Sequence, residues 1–198
     1  MKSVWKCLFL FLILSLLPSA NCFAGYEYKP MIQHKGGDIA PLDAFRMLMK
    51  NPKNTFLVDV RTRPEYQFQG HAEGAYNIPF MFFSNNVSSR GYKFTQNPDF
   101  VKNLLTLFNP KTDTLLIYCK SGARSIMALN AAFKAGFPES KIYSIMGGFE
   151  GEINTNQESI YYGKPYYGGW IREGLPWTYK MDTRLMYQPD IINEKVVK

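Results

Sequence analysis

Short apolar runs alternate with amphipathic ones from Gly36 to Gly148, and this alternation restricts the fold more than any other feature of the chain. Five of these runs are long enough only for strands. They are a segment ending near Ile39, "NTFLVDV" (54–60), "GAYNIP" (74–79, closed by Pro79), "TLLIY" (114–118) and "KIYSIM" (141–146). Helical segments fall between them. Pro41 suits a first helical turn, and Leu42, Phe45, Leu48 and Met49 recur at helical spacing behind it. "RPEYQFQG" reads as a short helix stopped at Gly70. "PDFVKNLLTLF" is a helix with Pro98 at its start, and a further helix runs from about Arg124 to Ala135. Residues 80–97 follow neither period and read as a loop. Strands alternating with helices predict an α/β fold: an open parallel sheet of about five strands, with helices on both faces. In such sheets ligands bind beyond the carboxyl ends of the strands.

The residues just past the strand "TLLIY" carry the chemistry. Cys119 is followed by Lys120, Ser121, Gly122 and Ala123, and then by Arg124 and Ser125 at the start of a helix. Gly122 gives the backbone freedom to curl, and Ser121 and Ala123 keep the loop slim. N–H groups of residues 120–125 can then converge on one point, with the positive end of the helix behind them. This predicts an anion cradle with sulfur at its floor, which favours the thiolate, the nucleophilic form of cysteine.

Cysteine usage by itself leaves two readings open, a buried inert residue or a reactive thiol, and the neighbours of Cys119 decide for the second. Lys2 and Lys6 precede the apolar run Leu8 to Leu17, and Pro18 and small residues follow it. This is the layout of a secretory signal peptide. The apolar run is about ten residues, roughly half of what a membrane span needs. Cleavage is expected after Ala24, with Ala20 as the second choice, and Cys22 marks a less fitting lipoprotein site. The expected organisation is a signal peptide at 1–24, an N-terminal tail at 25–35, the α/β domain at 36–151 and a C-terminal extension at 152–198 that packs on it. Cleavage after Ala24 leaves Cys119 as a lone cysteine in an oxidising compartment, the bacterial periplasm, where stable proteins tend to pair their thiols. It also removes two lysines from a formal charge of +7, leaving +5. A basic surface suits a small anionic substrate or an acidic partner. The basic residues form no stripe, so nucleic-acid binding is not expected. Two histidines and one mature cysteine make no metal cluster.

Three motifs in order then give a resemblance. "FLVDVRTRPEYQFQGHAEGAYNIP", "IYCKSGARS" and "GGFEG" resemble the signatures of a single rhodanese domain, the sulfurtransferase family, from about Gly36 to Gly151. The resemblance implies that Cys119 attacks the outer sulfur of a donor such as thiosulfate and forms a persulfide. It also implies that a thiol, cyanide or protein acceptor takes the sulfur away, without a cofactor. Lys120, Ser121, Gly122, Ala123, Arg124 and Ser125 would bind the charged sulfur species. Lys120 would attract the sulfonate end of the donor, and Arg124 would orient the loop or hold the anion. Asp59, Arg61, Glu65 and His71 would support the site, Asp59 and Arg61 as a strand-end pair and His71 by ordering its loop. Phosphate and arsenate enzymes of related architecture carry five residues between cysteine and arginine, whereas this chain has four. The other reading is a sulfur-carrier or protein-binding rhodanese module with little free turnover.

The C-terminal extension is rich in Gly, Tyr and Trp around "YYGKPYYGGWIREGLPW" and lacks helical period. It reads as irregular but ordered, packing along one flank, closing as a lid or serving as a docking surface.

Overall fold

The computed structural model describes residues 33–89 and 91–188. The signal segment with both cleavage choices and Cys22, most of the N-terminal tail, and residues 189–198 lie outside the described residues.

The elements run β1 (Gly37–Ile39), α1 (Pro41–Lys50), β2 (Thr55–Asp59), α2 (Arg63–Phe68), β3 (His71–Ala72), β4 (Tyr76–Asn77), β5 (Met81–Ser88) and β6 (Gly91–Gln96). They continue with α3 (Phe100–Leu107), β7 (Thr114–Tyr118), α4 (Ala123–Lys134), β8 (Ile142–Ile145), β9 (Glu152–Ile153), β10 (Pro165–Tyr167) and β11 (Trp177–Thr178). Five strands form one sheet in the order β1-β8-β7-β2-β4. Every neighbouring pair in it is parallel. The expected α/β architecture is present, with β7, the strand that delivers Cys119, at the centre.

Alternation along the strands divides the core in two. Leu115 and Ile117 of β7 point to one face, where they meet Val58, Ile142, Phe100 and Leu104 of α3, and Leu129 and Ala132 of α4. Leu116 and Tyr118 point to the other, among Ile39, Leu57, Ala44 of α1, Phe149, Trp170 and Leu175. The second face therefore takes α1 together with side chains from the C-terminal segment. Trp170 is 1% exposed, sets its ring edge-on to Phe45 at 6.1 Å, and donates its Nε1–H to the Pro176 carbonyl at 2.8 Å. Glu173 accepts the Leu42 N–H at 3.0 Å, so the same segment caps the start of α1. β11 pairs antiparallel with β3.

Three expectations change. Residues 80–97 are not a loop: β5 and β6 form an antiparallel hairpin. Its register shifts between Phe83 and Val87, and the adjacent Phe82 and Phe83 break the alternation that marks a strand. The apolar face of α1 is also rotated. Pro41 and Ala44 are buried, with Phe45, Met47 and Leu48 packed beside the core, whereas Leu42 and Met49 are exposed. Finally, α3 begins two residues beyond Pro98, with Asp99 at its N-cap.

Candidate active site

Three segments converge where β7 ends. The first is the loop from Cys119 into α4. The Gly122 N–H donates to Cys119 Sγ at 3.2 Å. Gly122 is the N-cap of α4 with φ +121°, which explains the glycine. Its carbonyl accepts the Ile126 N–H at 3.2 Å and the Ser125 hydroxyl at 2.7 Å. Ser125 is buried and also shares a hydrogen bond of 2.9 Å with Ser144 of β8, which ties the first helical turn to the sheet. Cys119 itself is 2% exposed and packs against the α3/α4 side of the core. Lys120, by contrast, reaches outward to Glu150 at 3.5 Å, and Ser121 and Ala123 are partly exposed.

The second segment is α2. Thr62 and Glu65 form a capping box at its start. From there Glu65 takes a two-pronged hydrogen bond from Arg124, Nη1 to Oε2 at 2.7 Å and Nη2 to Oε1 at 2.6 Å. Burial pushes the Glu65 carboxyl up. The Arg124 hydrogen bond and charge, and the Thr62 N–H and hydroxyl, outweigh it and hold the group at about 2. Burial likewise opposes the Arg124 charge, but Glu65 and the facing Cys119 keep that guanidinium above its ordinary value. Arg124 is thus committed to Glu65, the geometry of a loop anchor.

The third segment is the turn Gly147–Gly148. The Phe149 and Glu150 N–H groups donate to the Cys119 and Lys120 carbonyls at 2.8 and 3.0 Å. A Cβ on Gly148, whose φ is +60°, would meet the Cys119 carbonyl oxygen at 2.5 Å. The turn therefore lies flat beneath the cysteine loop, and only glycine permits the approach.

Asp59, Arg61 and His71 stand behind this site. Arg61 and Asp59 are fully buried, 2.7 Å apart between Nη2 and Oδ2. Arg61 also donates to the Gly70 carbonyl at 2.6 Å and lies over the Phe149 ring at 4.2 Å. It thereby joins the end of β2, the turn at Gly70 and the segment after the Gly-Gly turn. His71 stacks on Tyr66 with ring centres 3.7 Å apart, and its Nδ1 bonds the Tyr66 carbonyl at 3.0 Å. Burial lowers its pKa, so the ring is neutral at physiological pH. The structure thus brings Cys119, the 120–125 backbone, Glu65 and Arg124 together, and keeps Asp59, Arg61 and His71 as a buried layer.

One neighbour escaped the sequence reading. Phe94 of β6 places its ring 5.2 Å from the Arg124 guanidinium. The signal was present as "YKFTQ", where Tyr92, Phe94 and Gln96 alternate with Lys93 and Thr95. Among the described residues, no group of His, Cys, Asp or Glu is arranged to hold a metal, and no helix is long and apolar enough to cross a membrane.

Comparison with known proteins gives the same architecture. The model of the rhodanese-like domain matches residues 42–153. An uncharacterized protein of Rickettsia conorii is 34% identical over 143 residues, covering 72% of this chain and 97% of that protein. Thiosulfate sulfurtransferase 16, chloroplastic, of Arabidopsis thaliana is 34% identical over 119 residues, covering 60% of this chain and 76% of that one. The crystal structure of Rv0390 from M. tuberculosis has a TM-score of 0.56 at 31% identity, covering 74% of this chain and 99% of that one. A cysteine loop at the mouth of a five-stranded parallel sheet, matched by this family across residues 42–153, places the chain in the rhodanese-like family.

Proposed function

We propose that the chain is an exported sulfurtransferase that carries sulfane sulfur on Cys119. One observation carries the reading: the Cys119 sulfur, the one free thiol among the described residues, receives a backbone N–H at the opening of α4, in a ring of four residues closed by an anchored arginine. The Cys119 thiolate attacks the outer sulfur of a small anionic donor such as thiosulfate. A new S–S bond forms, the donor's own S–S bond breaks, and sulfite leaves with the electron pair. The persulfide's terminal sulfur is an anion; the Gly122 N–H, which already donates to Cys119 Sγ, and the other N–H groups of residues 120–125 at the opening of α4 would stabilise it. An acceptor thiolate or cyanide then attacks that outer sulfur and restores the Cys119 thiolate. Lys120, at the rim, draws the donor's sulfonate end. The basic, apolar, small-residue layout of residues 1–24 supports export to the periplasm.

A second reading, a sulfur carrier with slow free turnover, is favoured by the 2% exposure of Cys119. Two measurements separate the readings. Steady-state transfer from thiosulfate to cyanide is expected to disappear in Cys119→Ser. Intact-protein mass after thiosulfate is expected to rise by one sulfur atom, reversibly with a thiol reductant. An adduct with turnover no faster than the variant's supports the carrier. Neither adduct nor turnover overturns both.

A further inference from the structure

The β5–β6 hairpin exposes an apolar face where it borders the cysteine loop. Phe83 lies opposite Phe94, and Val87 opposite Tyr92, in the strand register. Directly opposed residues share a face, as do residues two apart on one strand. All four side chains therefore line the same face of the ribbon. They are 47%, 45%, 66% and 65% exposed in that order, and Phe83 stacks on Phe94 at 4.7 Å. Phe82 turns the other way and meets Tyr187 of the C-terminal segment at 5.8 Å, so the hairpin is backed by the protein on one side and open on the other. The inner end of the open face is Phe94, against Arg124. Tyr92 lies about 7 Å further out along the strand.

Small donors and cyanide need no such ribbon. Contiguous exposed apolar side chains at a catalytic mouth mark a surface for a larger partner. The charge of the segment says which kind. From Met81 to Asn97 the sequence has one lysine, one arginine and no acid, on a chain of net charge +7. A second copy would bring the same basic hairpin and be repelled, whereas an acidic segment is attracted.

We propose that the face formed by Phe83, Val87, Tyr92 and Phe94 docks a protein acceptor, an apolar polypeptide segment flanked by Asp or Glu and bearing the thiol that takes the sulfur from Cys119. This deepens the sulfurtransferase reading and rests on it for the transfer step. There the acceptor thiolate attacks the outer persulfide sulfur, the S–S bond to Cys119 breaks, and both thiol and persulfide are conserved in number, with no outside oxidant.

The test uses Val87→Ser/Tyr92→Ser, which leaves Phe94 and Arg124 in place. The probes are a ten-residue peptide with one central cysteine among alternating Leu and Glu, and the same peptide with Lys for Glu. With thiosulfate as donor, the acidic peptide is expected to outperform the basic one in wild type. The double variant is expected to raise the KM of the acidic peptide about fivefold or more, with thiosulfate-to-cyanide turnover within twofold of wild type. Equal use of the two peptides, or an unchanged KM in the variant, overturns the proposal. So does a concentration-dependent dimer that the variant abolishes, since the face then belongs to a second copy. Fluorescence anisotropy with the peptide's cysteine replaced by serine reads docking without chemistry. Acidic-selective binding that the variant weakens, in a protein with no turnover, keeps the docking surface and discards the transferase.

Discussion

At the scale of single residues, the site turns on the contact between Glu65 and Arg124. Arg124 stands just past the cysteine loop and Glu65 near the start of α2, so the pair fixes the loop relative to a different element. Glu65→Gln keeps the shape but loses the charge. It is expected to cost about 1.5–3 kcal/mol of stability, read by urea unfolding, and to lower thiosulfate turnover ten- to a hundredfold as the loop loosens. The pH dependence has a definite sign. The carboxyl titrates near 4.5 in the unfolded chain and at about 2 in the folded one, so its stabilisation is complete above pH 4.5 and fades as pH falls toward 2. The urea midpoint of wild type is expected to drop over that window, and that of Glu65→Gln to drop less. How much of this was legible varies by residue. Cys119, Gly122 and Arg124 could be read from a single loop, because their chemistry lies in local spacing. The bond from Arg124 to Glu65, rather than to a substrate anion, could not, because it joins residues far apart in sequence and Arg serves equally well in both roles.

At the scale of elements, the turn after β8 holds the cysteine loop through the Phe149 and Glu150 N–H groups on the Cys119 and Lys120 carbonyls. Gly148 contacts the Cys119 and Lys120 backbone so closely that a methyl group has no room, and its positive φ adds strain. Gly148→Ala is therefore expected to displace the loop: the folded variant, checked by circular dichroism, loses most of its persulfide formation by intact mass. Near-wild-type persulfide yield would mean that the turn merely closes the sheet. β2, β7 and β8 were readable because buried parallel strands are largely continuous apolar runs, and the short edge strands β1 and β4 because Pro41 and Pro79 follow them. The hairpin was not, because its stability comes from Phe83 on Phe94 and from Phe82 on Tyr187, contacts between segments, while its own pattern is broken by the shift between Phe83 and Val87. The rotated face of α1 has the same origin. Leu42 and Met49 fit the helical period, but the sheet and Trp170 meet the side of Ala44 and Phe45.

At the scale of the whole molecule, the question is what the aromatic C-terminal segment contributes to a domain that already has its sheet and helices. Its buried residues answer in terms of layers. On the face that holds Leu57, Leu116, Tyr118 and Ile145, Trp170 and Leu175 fill space beside α1. Two further ties run from this segment to the domain: Glu173 on the start of α1, and the Leu185 carbonyl accepting the Asn77 N–H at 2.8 Å on edge strand β4. A lid would touch the rim of the cysteine loop and leave the core intact on removal. Trp170, 1% exposed, and Leu175, 6% exposed, belong to the core, and removing them opens it. Trp170→Ala is accordingly expected to cost about 3–5 kcal/mol, read as a lower urea midpoint. Truncation after Gly168 is expected to bind a hydrophobic dye and lose its cooperative transition, because Phe45, Leu57 and Leu116 then face water. An unchanged midpoint in both variants, with only the donor preference altered, would make the segment a lid. A shared loss of stability and sulfur transfer would instead show that this fold needs its second face closed before the first can hold Cys119 in place.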